Sequence, residues 1–202
     1  MKLLIAYNND SSDKTCSFFS FCGEEMEMET DMRGMDRMVL RPPFLTNGKL
    51  LEVLSSCQAC FIANHGDAQS IAGSDGDLIS INTDNSLFRG KLFYAISCSC
   101  AKKLKDALIA LGLRSFWGYD NELKIWSGYP QYARSCLAGM MSLMDGKTVK
   151  EAREDMLARY DADIAELEAL YPDNLFLSAI LLDNRESLIV YGEDELRLAD
   201  LE

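Results

Sequence analysis

Two unbroken apolar runs constrain the fold most: Ala59–Ala63, and Lys91–Ser97 with its apolar stretch from Leu92 to Ile96. Both have strand length and neither alternates with polar residues, so both sides of each strand must be covered. That pattern belongs to a mainly parallel sheet with helices on its two faces. The first run stops abruptly at Asn64-His65-Gly66-Asp67, and the second at Cys98-Ser99-Cys100. In parallel sheets, ligands and catalytic groups collect beyond the carboxyl ends of the strands. His65 and Cys98 stand at two such ends.

The remaining chain completes an α/β layered pattern. Lys2–Tyr7 reads as a buried strand closed by Asn8-Asn9-Asp10. Residues 11–46 resist assignment: Cys16–Cys22 is aromatic-rich, and Glu24–Arg37, where Met alternates with acids, fits a loop or a short helix. Pro42-Pro43 ends any regular element there. Lys49–Ser56 puts Leu50, Leu51 and Leu54 on one helical face. Residues 68–90 carry Gly73, Asp75 and Gly76 around Leu78–Ile81, a loop with a hairpin. An amphipathic helix is predicted over Ala101–Leu111, stopped by Gly112, and a third strand over Arg114–Tyr119. Tyr132, Cys136, Met140 and Leu143 share a helical face in Tyr129–Met144. Thr148 with Glu151 is a capping-box signature that opens a helix to about Leu170. Ser178–Leu182 and Ser187–Tyr191 read as a terminal β-hairpin or two adjoining strands. No linker, repeat or low-complexity tract divides the 202 residues, so one domain is expected over 1–202.

Charge and cysteine usage narrow the function classes. The 20 basic residues face 32 acidic ones, giving a net charge of −12, which argues against a nucleic-acid partner. Neither the N-terminal run nor any later one reaches the length of a signal-peptide core or a membrane span. A cytoplasmic location with reduced thiols is therefore expected, without a membrane partner. The seven cysteines are odd in number and scattered, so each is core filler, metal ligand or reactive thiol. Cys57-Gln58-Ala59-Cys60 with Cys98 and Cys100 could supply four sulfur ligands for zinc, or a thiol-redox pair. Cys60 inside a strand and Cys57 at a helix-to-strand turn make convergence awkward, and two buried structural cysteines fit better. No cofactor or metal is called for. Among the ten methionines, Met26, Met28, Met32, Met35 and Met38 suit loosely packed core or an adaptable surface.

His65 is the single histidine. Imidazole exchanges protons near neutral pH, and Gly66 leaves its backbone N–H open to a ligand. A free thiol is only a few per cent thiolate at pH 7, and a following helix N-terminus favours the anion. With a helix starting near Ala101, Cys98 would sit three residues before it. Backbone N–H groups at Gly66 and Cys98 could both face a developing oxyanion.

The order of apolar strand, His-Gly, insertion, apolar strand and Ser97-Cys98-Ser99 resembles the caspase-like (clan CD) cysteine peptidases, among them caspases, gingipains, separases and bacterial CHAT-type proteases. The stretch from Cys98 to Leu104, then Gly112, Phe116-Trp117-Gly118-Tyr119 and the Leu-rich segment Ala179–Tyr191 are similar to the CHAT-type pattern in particular. The resemblance covers most of the chain from about residue 50. It implies a three-layer α/β sandwich whose mainly parallel caspase-like sheet is covered by helices on both faces. It also implies a protein or peptide substrate and a cysteine-endopeptidase mechanism. Cys98 would attack the scissile carbonyl to give an acyl-enzyme, His65 would protonate the leaving amine and activate water, and Gly66 with Cys98 would form the oxyanion hole. Cys100 is a departure from the pattern: two residues from Cys98, it could share the same side and stand as an alternative thiol. Asp67, Asp75, Asp77 and Asp84 crowd the nearby loops and could favour a basic substrate side chain. The alternative function is a caspase-like scaffold that binds a partner and cuts nothing. Relatives are often held in check by other proteins, so a separate regulatory protein is a further expected partner.

Overall fold

The structure is a computed structural model that describes residues 1–201. In chain order the elements are β1 (Lys2–Tyr7), α1 (Cys16–Met32), β2 (Asp36–Leu40), α2 (Asn47–Leu54), β3 (Ala59–Ala63), β4 (Ser70–Ala72), β5 (Asp77–Ser80), β6 (Leu92–Ile96), α3 (Leu104–Ala110), β7 (Ser115–Tyr119), α4 (Pro130–Met144), α5 (Val149–Leu170), α6 (Phe176–Ser187) and β8 (Leu188–Gly192). Six strands form one sheet in the order β2-β1-β3-β6-β7-β8. All its neighbours run parallel except β8, which pairs antiparallel with β7. β4 and β5 form a separate antiparallel hairpin.

Strand side chains alternate between two cores, as a period of two requires. Leu3, Ile5 and Tyr7 of β1, Phe61 of β3, Tyr94 of β6 and Trp117 of β7 enter one core, beneath α1, α4, α5 and α6. Leu4, Cys60, Ile62, Phe93 and Phe116 enter the other, beneath α2, α3 and the hairpin. This is the three-layer arrangement predicted from the non-alternating runs. Aromatic rings reinforce the first core, where Tyr94 stacks on Trp117 with centroids 5.3 Å apart. The capping box at Thr148 and Glu151 is formed in both directions, and α5 runs to Leu170.

Three expectations change. Residues 11–46 hold a 17-residue helix, α1, and an edge strand, β2. The buried face of α1 includes Gly23 and Thr30, so its apolar stripe is interrupted. Gly23 lies against the Tyr7 ring, where an added Cβ would stand 2.1 Å from Cγ. The segment Phe176–Ser187 is a helix and not one arm of a hairpin: Leu177, Ile180, Leu181 and Asn184 are buried at helical spacing. Residues 183–186, between the two expected strands, continue this helix. The helix expected from Ala101 begins only at Leu104, after a turn. The cysteines weighed as zinc ligands diverge. Cys57, Cys60 and Cys100 belong to the second core and Cys98 packs against the first. Among the described residues no group of three or more His, Cys, Asp or Glu is arranged to hold a metal ion. No helix in that range is long and apolar enough to cross a membrane.

Candidate active site

Register carries His65 and Cys98 to one place. β3 and β6 are adjacent and parallel, with Ala63 opposite Ile96. One further step is tied by the Asn64 N–H donating to the Ile96 carbonyl at 3.2 Å. Continuing that register one residue more, past both strand ends, would set His65 opposite Cys98. Parity agrees: His65 continues the face of Phe61 and Ala63, and Cys98 that of Tyr94 and Ile96, both on the α1–α4 side. Imidazole and thiol line one cavity of ≈ 500 Å³ between the start of α1, the segment after β7, and α6.

The strand order reverses direction between β1 and β3, so the β1–α1 loop opens beside the end of β3, the usual crevice of such sheets. That loop supplies the partner of the histidine. His65 Nε2 lies 2.7 Å from Asp13 Oδ2 and 2.9 Å from Thr15 Oγ1. Phe19 of α1 meets the imidazole edge to face, with centroids 5.0 Å apart. A carboxylate only accepts, so the Asp13 contact assigns the proton to Nε2 and leaves Nδ1 to take or give one. Asp13 is itself braced: Oδ2 accepts from Asn8 Nδ2 at 2.7 Å and Oδ1 from the Thr15 N–H at 2.9 Å. Burial pushes its carboxyl pKa up, but hydrogen bonds from Thr15 and His65 outweigh this and hold it below the usual carboxylate value. Asp13, Thr15 and Phe19 were not singled out from sequence.

The loop after β3 is built around buried Asn64, whose Oδ1 accepts from the His65 N–H and whose Nδ2 donates to the Ala72 carbonyl. Gly66 forms an isolated antiparallel bridge with Ile71. The bridge's hydrogen bonds run from Asp67 N to Ser70 O and from Ala72 N to His65 O, so the Gly66 amide is not consumed by it. Only glycine fits: an added Cβ would stand 2.2 Å from Ser97 Oγ and 2.9 Å from the Ser70 carbonyl.

Cys98 is half-buried, with Sγ 3.9 Å from the Leu123 carbonyl. Burial pushes its thiol pKa up, a backbone hydrogen bond at Leu123 pulls it down, and Glu122 pushes it up again, for a net rise. The expected helix-dipole help is not there, because α3 begins six residues on and has only seven residues. The turn is instead fixed by Ser99 N donating to Asn121 O and Ala101 N donating to Tyr119 O. Ser99 has φ 54°, a left-handed value rare outside glycine. This twist breaks the strand alternation, so Cys100 does not share the side of Cys98. It is buried in the second core, its Sγ donates to the Ser97 carbonyl, and desolvation pushes its thiol up to about 12.

The four acids expected near a substrate pocket lie outside the cavity. Asp67 Oδ1 accepts from the Gln69 and Ser70 N–H groups, and Asp84 from that of Ser86, each a local loop brace. Asp75 and Asp77 lie exposed in the β4–β5 connection and at the start of β5. The acids that do line the cavity are Glu122 and Asp183, beside Lys124.

No family model and no curated protein matches the sequence. Among solved structures, the chain is similar to gingipain R (RgpB), an Arg-specific cysteine proteinase, with a TM-score of 0.64 and 12% identity, over 97% of this chain and 47% of that one. A complex of Porphyromonas gingivalis RgpB pro- and mature domains matches with a TM-score of 0.62 and 10% identity, over 98% and 48%. The chain spans about half the length of these structures, and over that span it has the caspase-like gingipain fold.

Proposed function

We propose that residues 1–202 form one caspase-like peptidase domain, a cysteine endopeptidase working through a Cys98–His65 dyad. The observation that carries the reading is the register of β3 and β6, which brings both side chains to one open cavity. Cys98 Sγ attacks the scissile carbonyl as its proton passes to the imidazole, forming a carbon–sulfur bond and an oxyanion. The Gly66 and Cys98 amides are the candidate oxyanion donors. Collapse breaks the carbon–nitrogen bond, and the imidazole gives its proton to the leaving amine. Water, deprotonated by the same imidazole, then cleaves the thioester to release a carboxylic acid and restore the thiol. Asp13 is a positioning residue: it fixes the tautomer and stabilises the imidazolium formed between these steps.

The raised Cys98 thiol suits one alternative, a non-catalytic scaffold that binds a protein partner. It equally suits an enzyme held inactive until substrate or a regulatory protein engages it. The pro-domain complex among the similar structures agrees with such a partner. Incubation with a proteome-derived peptide library, followed by sequencing of new termini, separates the readings. Cleavage that is lost in Cys98→Ala and in His65→Ala supports the peptidase. A library left intact by the wild-type protein supports the scaffold.

A further inference from the structure

The cavity at His65 and Cys98 is lined chiefly by apolar side chains. Phe18 of α1, Leu123 and Ile125 of the segment after β7, and Ile180 of α6 form its walls. Trp126 and Phe176 meet edge to face with centroids 5.7 Å apart, yet they stay 49% and 58% exposed. Two large aromatics left open beside a reactive thiol form an apolar surface of the kind that binds ligands.

Of the three charged side chains that line it, Lys124 and Asp183 are engaged with each other. Lys124 Nζ sits 2.6 Å from Asp183 Oδ2, and both residues line the cavity. The wall that carries Lys124 is rigid, because buried Asn184 receives its N–H on Oδ1 and donates to its carbonyl from Nδ2. Glu122 is exposed. An incoming guanidinium or ammonium would find Asp183 neutralised by Lys124 and only the solvent-exposed Glu122 carboxylate unpaired, and an incoming carboxylate would meet two acids against one base. Desolvating either without a buried partner is unfavourable, whereas an aromatic or branched aliphatic group asks only for apolar contact. The volume of ≈ 500 Å³ accommodates the largest such side chain.

Resting on the peptidase reading, we propose that this cavity receives the side chain of the residue whose carbonyl Cys98 attacks, and that it selects a large apolar or aromatic one. That specificity differs from the arginine preference that describes the similar proteinase.

The test is a set of fluorogenic peptides that differ only at that residue, with Phe, Leu, Arg, Lys, Asp or Glu, given to the full chain. Phe or Leu peptides are expected to be cut with kcat/KM about tenfold or more above the charged ones. Phe176→Ala, at an exposed position that folding tolerates, should lower kcat/KM for the Phe peptide about tenfold, chiefly through KM. Lys124→Met frees the Asp183 carboxylate and should narrow the Phe-to-Arg ratio by about tenfold. Cys98-dependent hydrolysis that prefers a charged residue, or variants that leave KM and the ratio unchanged, would overturn the pocket assignment and leave the peptidase standing. Refusal of every peptide would overturn both.

Discussion

In the proposed peptidase mechanism, the contact between Asp13 and His65 decides which imidazole nitrogen stays free. Asp13→Asn keeps the shape but removes the charge, and kcat is expected to fall about 10²-fold with little change in KM. The sign of the linked stability follows from the lowered Asp13 pKa. The stabilisation is present above the ordinary carboxylate range near ~3.9 and is lost as pH falls through the lower folded value. Acid unfolding of Asp13→Asn should therefore be less steep below about pH 4, a difference that denaturation at several pH values reads directly. Gly66→Ala tests the neighbouring backbone. Its methyl would collide with Ser97 Oγ and the Ser70 carbonyl, so a loss of about 1–3 kcal/mol is expected in chemical denaturation. For the thiol, burial raises the pKa, so alkylation of Cys98 in the free protein should still accelerate above the ordinary thiol range near ~8.5. A rate already at its plateau at neutral pH would mean an activated thiolate instead. His65 and Cys98 stand out in the sequence as candidates because each lies just past a readable strand, and Gly66 follows His65. Asp13 could not, since its role depends on the β1–α1 loop reaching across the strand order to β3.

Elements with one dominant physical signal were legible. Strands β1, β3, β6 and β7 stand out as apolar runs, and α5 through its capping box, which is now testable: Thr148→Ala removes one side of the reciprocal cap and should destabilise by about 1 kcal/mol in urea or thermal unfolding. The illegible elements mix their signals. In α1 the buried positions are Phe19, Cys22, Gly23, Met26 and Thr30, where glycine is dictated by the Tyr7 ring rather than by helix propensity. In α6 the run Ala179–Leu182 is short enough to suit a strand or a helix. Its helical face is completed by Asn184, a polar residue buried because both ends of its amide hold the Lys124 backbone. Polar burial that serves a tertiary hydrogen bond leaves no periodic trace. The same holds for the turn after β6, where hydrogen bonds to Tyr119 and Asn121 replace the helical turn expected from Ala101.

At the level of the whole molecule, the parallel sheet converts two sequence positions, 33 residues apart, into neighbours at one rim, since β3 and β6 pair in register. The layered architecture follows from the apolar strands alone, and the side of the sheet on which the cavity opens follows from their parity. What sequence could not supply is the far wall, because the segment after β7 and α6 meet the site only once the chain has folded. The account stands on Cys98 being the reactive thiol among seven cysteines, with His65 as its proton partner. The most direct test is covalent labelling with a peptidyl acyloxymethyl ketone bearing an aromatic side chain next to the ketone, mapped by peptide mass spectrometry. The expected result is a single adduct on Cys98, absent in Cys98→Ser and slowed at least ~10²-fold in His65→Ala. An adduct on Cys16 or Cys100, or labelling of Cys98 at a rate indifferent to His65, would contradict it.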